Sequence, residues 1–265
     1  MKFRTYARNP EEEKCPVFEM HNTITVEAYC KTDPGVCRTC NEDICLVDLE
    51  NSCFLVADGI GGSVGGDLAA AFMRDSAAEL FADAGTVLHL EAARRIRDIF
   101  SLAHRKMKCC IETTPACMGM GCTAEVLLLS RDHFFLGHIG DSRTYRFRKS
   151  GLEQLTVDHS LVQEQLDLGI ITSEQARKSR YKNVILKAVG GEVPPEIDSL
   201  HGSLRTGDIF LLCTDGLYSM VTDSEIVSVL EYDAPLAVKV EMLVDMANNA
   251  GGKDNIGVAL VGLTG

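Results

Sequence analysis

The stretch FLVADGIGGSVGGDLAAAFM, Phe54–Met73, decides how this chain is read. An apolar run of strand character ends on Asp58-Gly59. Gly61, Gly62, Gly65 and Gly66 then lead into an Ala- and Leu-rich segment with helical spacing. A carboxylate delivered by a buried strand into a glycine-rich turn needs a physical reason, because an unpartnered ionised carboxylate is costly to bury. A phosphate-cradling nucleotide loop does not supply that reason. No Gly-Lys-Ser/Thr follows, and the strand ends in an acid where such a loop would not.

The same design recurs along the chain. Glu42-Asp43 precede the apolar run ICLVDL, Asp141 follows HFFLGHIG, Asp215-Gly216 follow IFLLCT, and Asp254-Asn255 precede IGVALVGL. A single Asp-Gly is mainly a turn signal. Five acidic segments at strand ends call for counter-charge, and Lys and Arg are scarce beside them, Arg38 and Arg143 being nearest in sequence. Oxygen donors without His or Cys alongside suit hard divalent cations, Mg²⁺ or Mn²⁺ rather than Zn²⁺. The missing side chain of Gly59 would let its carbonyl approach the same ions.

Composition narrows the function classes. The chain has 265 residues, 46% apolar content and a net charge of −12. Nucleic acid and anionic membranes are therefore not expected partners. The first residues carry no apolar signal-peptide core, and no apolar run is long enough to span a bilayer, so a cytoplasmic protein is expected. Eleven cysteines without a framework read as reduced thiols, mostly buried as small apolar residues. Cys37-Arg38-Thr39-Cys40 lacks a second pair of ligands for zinc.

The order of elements argues α+β, with antiparallel sheets and helices packed outside them. ITVEAYCKTD alternates as a half-buried strand, DICLVDL and SCFLVAD form a hairpin around Glu50-Asn51, and residues 64–83 and 90–112 read as helices. TAEVLLLS, HFFLGHIGD and RTYRFRK read as a meander, and residues 160–180 as a polar helical interruption. EIDSLHGSL and DIFLLCTD are strands, SEIVSVL and LAVKVEMLVDMANNA helices, and IGVALVGL a closing strand.

At this point the sequence resembles the metal-dependent Ser/Thr protein phosphatases of the type 2C family in its bacterial form. Eight ordered segments carry the likeness: TDPGVCRTCNED, VADGIGGSVGGDLAA, GCTAEVLLL, GHIGDSRTYRFR, LTVDHSLVQEQLDLGIIT, NVILKAVGG, GDIFLLCTDGLYSMVTDSEI and GGKDNIGVALV. The resemblance implies a β-sandwich of two antiparallel sheets flanked by helix pairs, a four-layer α-β-β-α arrangement. It also implies one domain over residues 1–265 with a flap at about 160–190. It further implies two Mn²⁺ or Mg²⁺ ions and a weaker third. Asp58 would bridge two ions with the Gly59 carbonyl on one, Asp215 and Asp254 would ligate the other, and Asp141 would serve the third. Glu42 and Asp43 would hold metal-bound waters, and Arg38 would contact the substrate phosphate. The implied reaction is hydrolysis of phospho-Ser or phospho-Thr in proteins by direct attack of a metal-bridging water. The implied partners are phosphorylated proteins and a cognate Ser/Thr kinase.

Some positions depart from the family pattern. Ile60 stands where some members carry a His proposed as general acid, Cys122 replaces a Thr, and Gly257 replaces a Thr or Ser. An alternative of another class is a catalytically weak relative that binds phosphoproteins as a regulatory module, but such relatives usually lose a metal carboxylate, and here all are present. His138, inside an apolar strand, reads as a core histidine with a hydrogen-bond partner, and His159 as a structural or surface residue.

Overall fold

A computed structural model describes residues 17–20, 24–61, 65–81 and 89–265. Gly62, Cys15, His21 and the outer ends of the first predicted helix, at 64 and 82–83, lie outside the described residues. In chain order the elements are β1 (Val17–Met20), β2 (Ile24–Asp33), β3 (Asp43–Asp48), β4 (Cys53–Ile60), α1 (Gly66–Phe81) and α2 (His89–Thr113). A 3-10 turn at Pro115–Cys117 precedes β5 (Gly121–Ser130), β6 (His133–Ile139), β7 (Arg143–Arg148) and β8 (Gly151–Gln154). Then come α3 (Leu161–Asp167), α4 (Ser173–Lys178), β9 (Asp198–Ser203), β10 (Ile209–Cys213), α5 (Asp215–Tyr218), α6 (Asp223–Glu231), α7 (Leu236–Asn249) and β11 (Ile256–Thr264).

The strands form two antiparallel sheets, ordered β1-β2-β11-β10-β7-β8 and β3-β4-β5-β6-β9. Continuous apolar runs such as FLVA arise because central strands are buried on both faces. Along β4, Cys53, Leu55 and Ala57 pack toward α1 and α2, while Phe54 and Val56 pack between the sheets. Ala92, Ile96, Ile99, Phe100, Ala103 and Met107 of α2 are buried at helical spacing. On the other side, Leu236, Val240, Leu243, Val244 and Ala247 of α7 cover the β2/β11/β10 sheet with Ile226, Val229 and Leu230 of α6. The result is the expected four-layer α-β-β-α sandwich.

One sequence expectation is corrected. β5, β6 and β7 are not a single meander: β6 pairs with β5 and β9 in one sheet, whereas β7 pairs with β10 and β8 in the other. The chain changes sheets at Gly140-Asp141, where Gly140 has φ +104°. The thiols are also less buried than expected. Cys53, Cys117, Cys122 and Cys213 are buried, but Cys37, Cys40 and Cys109 are exposed, and the described cysteines are free.

Candidate active site

The predicted acids converge. Arg38, Glu42, Asp58, Gly59, Asp141, Asp215 and Asp254 line one cavity of about 160 Å³, joined by Asn183, Ile185 and Asn255. Asp43 stands directly across the β3–β4 ladder from Asp58, and opposite residues in such a ladder have Cα atoms about 4.5–5.5 Å apart. Every site residue predicted from sequence except Asp43 lines this cavity, and Asp43 is the strand neighbour of Asp58.

Two glycines bring the backbones close enough for this. A Cβ on Gly59 would stand 2.1 Å from the carbonyl oxygen of Gly66, and one on Gly216 would stand 1.9 Å from that of Asn255. No side chain fits at either position, so Gly59 is required by packing of the turn as well as by any approach of its carbonyl to a ligand.

Residues that the sequence reading passed over hold the acids in place. The Asn255 side chain accepts from the Glu42 N–H at 2.9 Å and donates to the carbonyls of Cys40 and Pro34 at 2.8 and 3.0 Å. The Thr214 hydroxyl donates to Asp43 Oδ2 at 2.7 Å and accepts from the Gly257 N–H at 2.8 Å. A Cβ on Gly257 would come within 3.2 Å of Asp43 Oδ2. Glycine there leaves the space to the Thr214–Asp43 hydrogen bond.

Asp141 is fastened through its backbone. Tyr218 Oη donates to the Asp141 carbonyl at 2.9 Å, and the Arg143 guanidinium lies 3.8 Å from the centre of the Tyr218 ring while bonding Asp158 through two nitrogens at 2.8 and 2.7 Å. His159 grips the preceding residue twice: its N–H donates to the Gly140 carbonyl at 2.7 Å, and its Nδ1 accepts from the Gly140 N–H at 3.1 Å. Burial pushes the His159 pKa down, consistent with a neutral, accepting Nδ1.

The electrostatics of the cavity are those of crowded like charges. Burial raises the pKa of Asp58 well above the ordinary aspartate range, and Asp43, Asp215, Asp141 and Asp254 raise it further. Burial lifts Asp141 to about 7, with Asp215 adding to it, and lifts Asp215 to about 6, with Asp254 adding and Lys182 and Arg38 opposing. Oδ1 of Asp43 and Oδ1 of Asp141 are buried without a hydrogen-bond partner. Arg38 answers only part of this charge, donating to Asp254 Oδ2 at 2.8 Å. Among the described residues no group of three or more acids, histidines or cysteines is placed closely enough to hold one ion. The acids ring an open cavity instead, and the orphaned oxygens, mutual repulsion and all-oxygen donor set fit hard cations between them.

A pH dependence follows. Acids whose folded pKa is raised bind more protons folded than unfolded, so stability falls as pH rises from the ordinary value of 3.8 through about 6 and 7 for Asp215 and Asp141. In chelator, the urea midpoint is expected to fall from pH 5 towards pH 7.5. A midpoint that climbs over this interval would show that the acids are not crowded as described.

Comparisons with known proteins place this sandwich with its acid-lined end in a class, the protein phosphatases. The family model for Protein phosphatase 2C matches residues 38–254, and the chain belongs to that family. It is a serine/threonine protein phosphatase of the 2C type. Protein phosphatase PhpP of Streptococcus pneumoniae is 36% identical over 247 residues, covering 90% of this chain and 98% of its own. The structure of the Mycobacterium tuberculosis serine/threonine phosphatase PstP/Ppp superposes with a TM-score of 0.83 at 30% identity, covering 91% of this chain and 99% of that one. The catalytic domain of PstP in complex with two manganese ions gives a TM-score of 0.80 at 31% identity, covering 92% of this chain and 100% of that one. Among the described residues no helix is long and apolar enough to cross a membrane.

Proposed function

We propose that this chain hydrolyses phosphoserine and phosphothreonine in proteins with two divalent cations, Mn²⁺ or Mg²⁺, held in the acid cavity. The observation that carries this reading is the convergence of Asp58, Asp141, Asp215 and Asp254, with Glu42 beside them, on one cavity walled by Arg38. When bound, divalent cations neutralise phosphoryl oxygens and acidify the attacking water. Asp58, the Gly59 carbonyl, Asp215 and Asp254 would hold the two ions, and Asp141 would hold a weaker third. Glu42 and Asp43 would accept hydrogen bonds from water bound beside the acids and orient it. Arg38, with its side chain half exposed at the rim, swings from Asp254 to the incoming phosphate, which its planar fork suits. Ile60 offers no proton, so protonation of the leaving oxygen falls to water in the cavity or to an acid outside the proposed ligand set.

Residues 1–265 are read as one phosphatase domain with a flap over 160–190, and a cognate Ser/Thr kinase and a cytoplasmic setting belong to the same proposal. The complete set of carboxylates argues against a purely phosphoprotein-binding module. Hydrolysis of p-nitrophenyl phosphate and of a phosphothreonine peptide is expected with Mn²⁺ and lost in EDTA. Undiminished turnover in EDTA would sink the metal-dependent mechanism.

A further inference from the structure

The charge of this molecule is unevenly placed. Against a net charge of −12, the run Arg177–Lys187 holds Arg177, Lys178, Arg180, Lys182 and Lys187 and no acid. All five are exposed. Lys178 is drawn to Glu174 at 2.7 Å on the same helix, while Lys182 lies near enough to the acid cavity to oppose the rise of the Asp215 pKa. Large apolar side chains are exposed in the same run: Tyr181 at 43%, Val184 at 39% and Leu186 at 50%.

This run is pinned to the body of the protein. The Leu161 N–H donates to the Val184 carbonyl at 2.9 Å, the Leu186 N–H to the His159 carbonyl at 2.8 Å, and Val189 and Cys122 exchange hydrogen bonds at 2.9 and 3.0 Å. His159 is the residue that grips Gly140 beside Asp141. The end of the run from Val184 onward is therefore held in register with the acid cavity.

A second cavity of about 290 Å³ lies along it, lined by Ile60, Asn183, Ile185, Leu186, Lys187 and Ala188. Asn183 and Ile185 line both cavities. Because the two cavities share lining residues, the apolar hollow adjoins the acids where a phosphorylated residue would sit.

We propose that this basic, apolar shelf selects acidic phosphopeptides carrying a large aliphatic residue beside the phosphorylated Ser or Thr. The aliphatic side chain sits against Ile60, Ile185, Leu186 and Ala188, and acidic residues further along meet Lys182 and Lys187. The proposal rests on the phosphatase reading above and deepens it. An acidic substrate is repelled by the molecule at large and attracted at this run, so the shelf also orients its approach.

The test uses four phosphothreonine peptides of equal length, with Leu or Ala beside the phosphothreonine and with acidic or basic flanks. In Mn²⁺, kcat/KM is expected to favour Leu over Ala by about tenfold, the scale of filling or leaving an apolar pocket. It is expected to favour acidic over basic flanks by about tenfold at low salt, shrinking as salt is added. In the double variant Lys182→Glu/Lys187→Glu the acidic-to-basic ratio should invert, and in Leu186→Asp the Leu-to-Ala ratio should fall to about one. Each ratio is read within one variant, so a general change in activity does not mask it. Equal rates on all four peptides, or ratios unmoved by these substitutions, would overturn the shelf. Wild-type turnover of p-nitrophenyl phosphate without peptide preference overturns the shelf alone. Absence of turnover on every substrate overturns the phosphatase reading with it.

Discussion

Asp58→Asn is expected to lower kcat/KM on any phosphomonoester by roughly 10³-fold or more, the scale of losing a central electrostatic group from an active site, and yet to make the metal-free protein more stable. Asp58 stands at the end of a buried strand, opposite Asp43 across the ladder. Burial and the charges of Asp43, Asp215, Asp141 and Asp254 all disfavour its ionised form. Asn has nearly the same shape and keeps a carbonyl oxygen, but carries no charge. It relieves the repulsion and removes the donor that the proposed cations need most. Thermal unfolding in EDTA should therefore shift upward, by an amount corresponding to about 1–2 kcal/mol, typical of removing a functional strain. In Mn²⁺ the order should reverse, because only the wild-type chain gains stability by binding ions. A variant that stays active, or that unfolds earlier than wild type in EDTA, would mean that Asp58 is neither the central ligand nor under strain.

The second large effect lies behind the site. Glu125 and His138 are both fully buried and joined through His138 Nδ1, with the Thr144 hydroxyl donating to Glu125 Oε2 at 2.7 Å and His138 Nε2 meeting the Val157 carbonyl at 2.9 Å. Burial alone would lower the His138 pKa, but the Glu125 carboxylate and its hydrogen bond overcome this and hold it at about 9. Glu125→Leu leaves that charge without its partner and should cost about 3–5 kcal/mol, as breaking a buried pair usually does. For a chain of this size that is a fall of roughly 10 °C in the unfolding midpoint. Glu125→Leu combined with His138→Leu should recover much of the loss, since no buried charge remains. The histidine's raised pKa also fixes a sign. The folded chain holds the extra proton between its ordinary 6.5 and about 9, so this contribution is present below that interval and lost as pH rises through it. Additive losses in the double variant would show that the two groups do not act as a pair.

Much of this architecture was legible because it depends on local rules. The helices at 64–83 and 90–112 appear as Gly66–Phe81 and His89–Thr113, since Ala- and Arg-rich stretches with apolar residues three and four apart pack one face on a sheet. α7 stops at Asn249, ahead of Gly251 with φ +127°. The cavity acids were legible because each is a charge at the end of an apolar run. What escaped was set by partners far away in sequence. The crossing at Gly140 looks like an ordinary hairpin turn, because pairing of β7 with β10 rather than with β6 is decided some sixty residues later. Residues 160–180 read as polar and helical and hold two short helices, Leu161–Asp167 and Ser173–Lys178; the break between them, where Gly169 takes φ +67°, was not read. Asn255, Thr214 and Tyr218 are unremarkable as letters. Their roles come from hydrogen bonds that span 213, 171 and 77 positions of the chain.

The acids do not belong to one sheet. Asp43 and Asp58 sit on β3 and β4, Asp215 and Asp254 follow and precede β10 and β11 of the opposite layer, and Asp141 lies on the link between the two. The two halves of the sandwich thus push apart at this rim while greasy side chains clasp them elsewhere. A cation bound as proposed would act as a rivet through both plates, so the same ion would serve catalysis and hold the two sheets together at this rim.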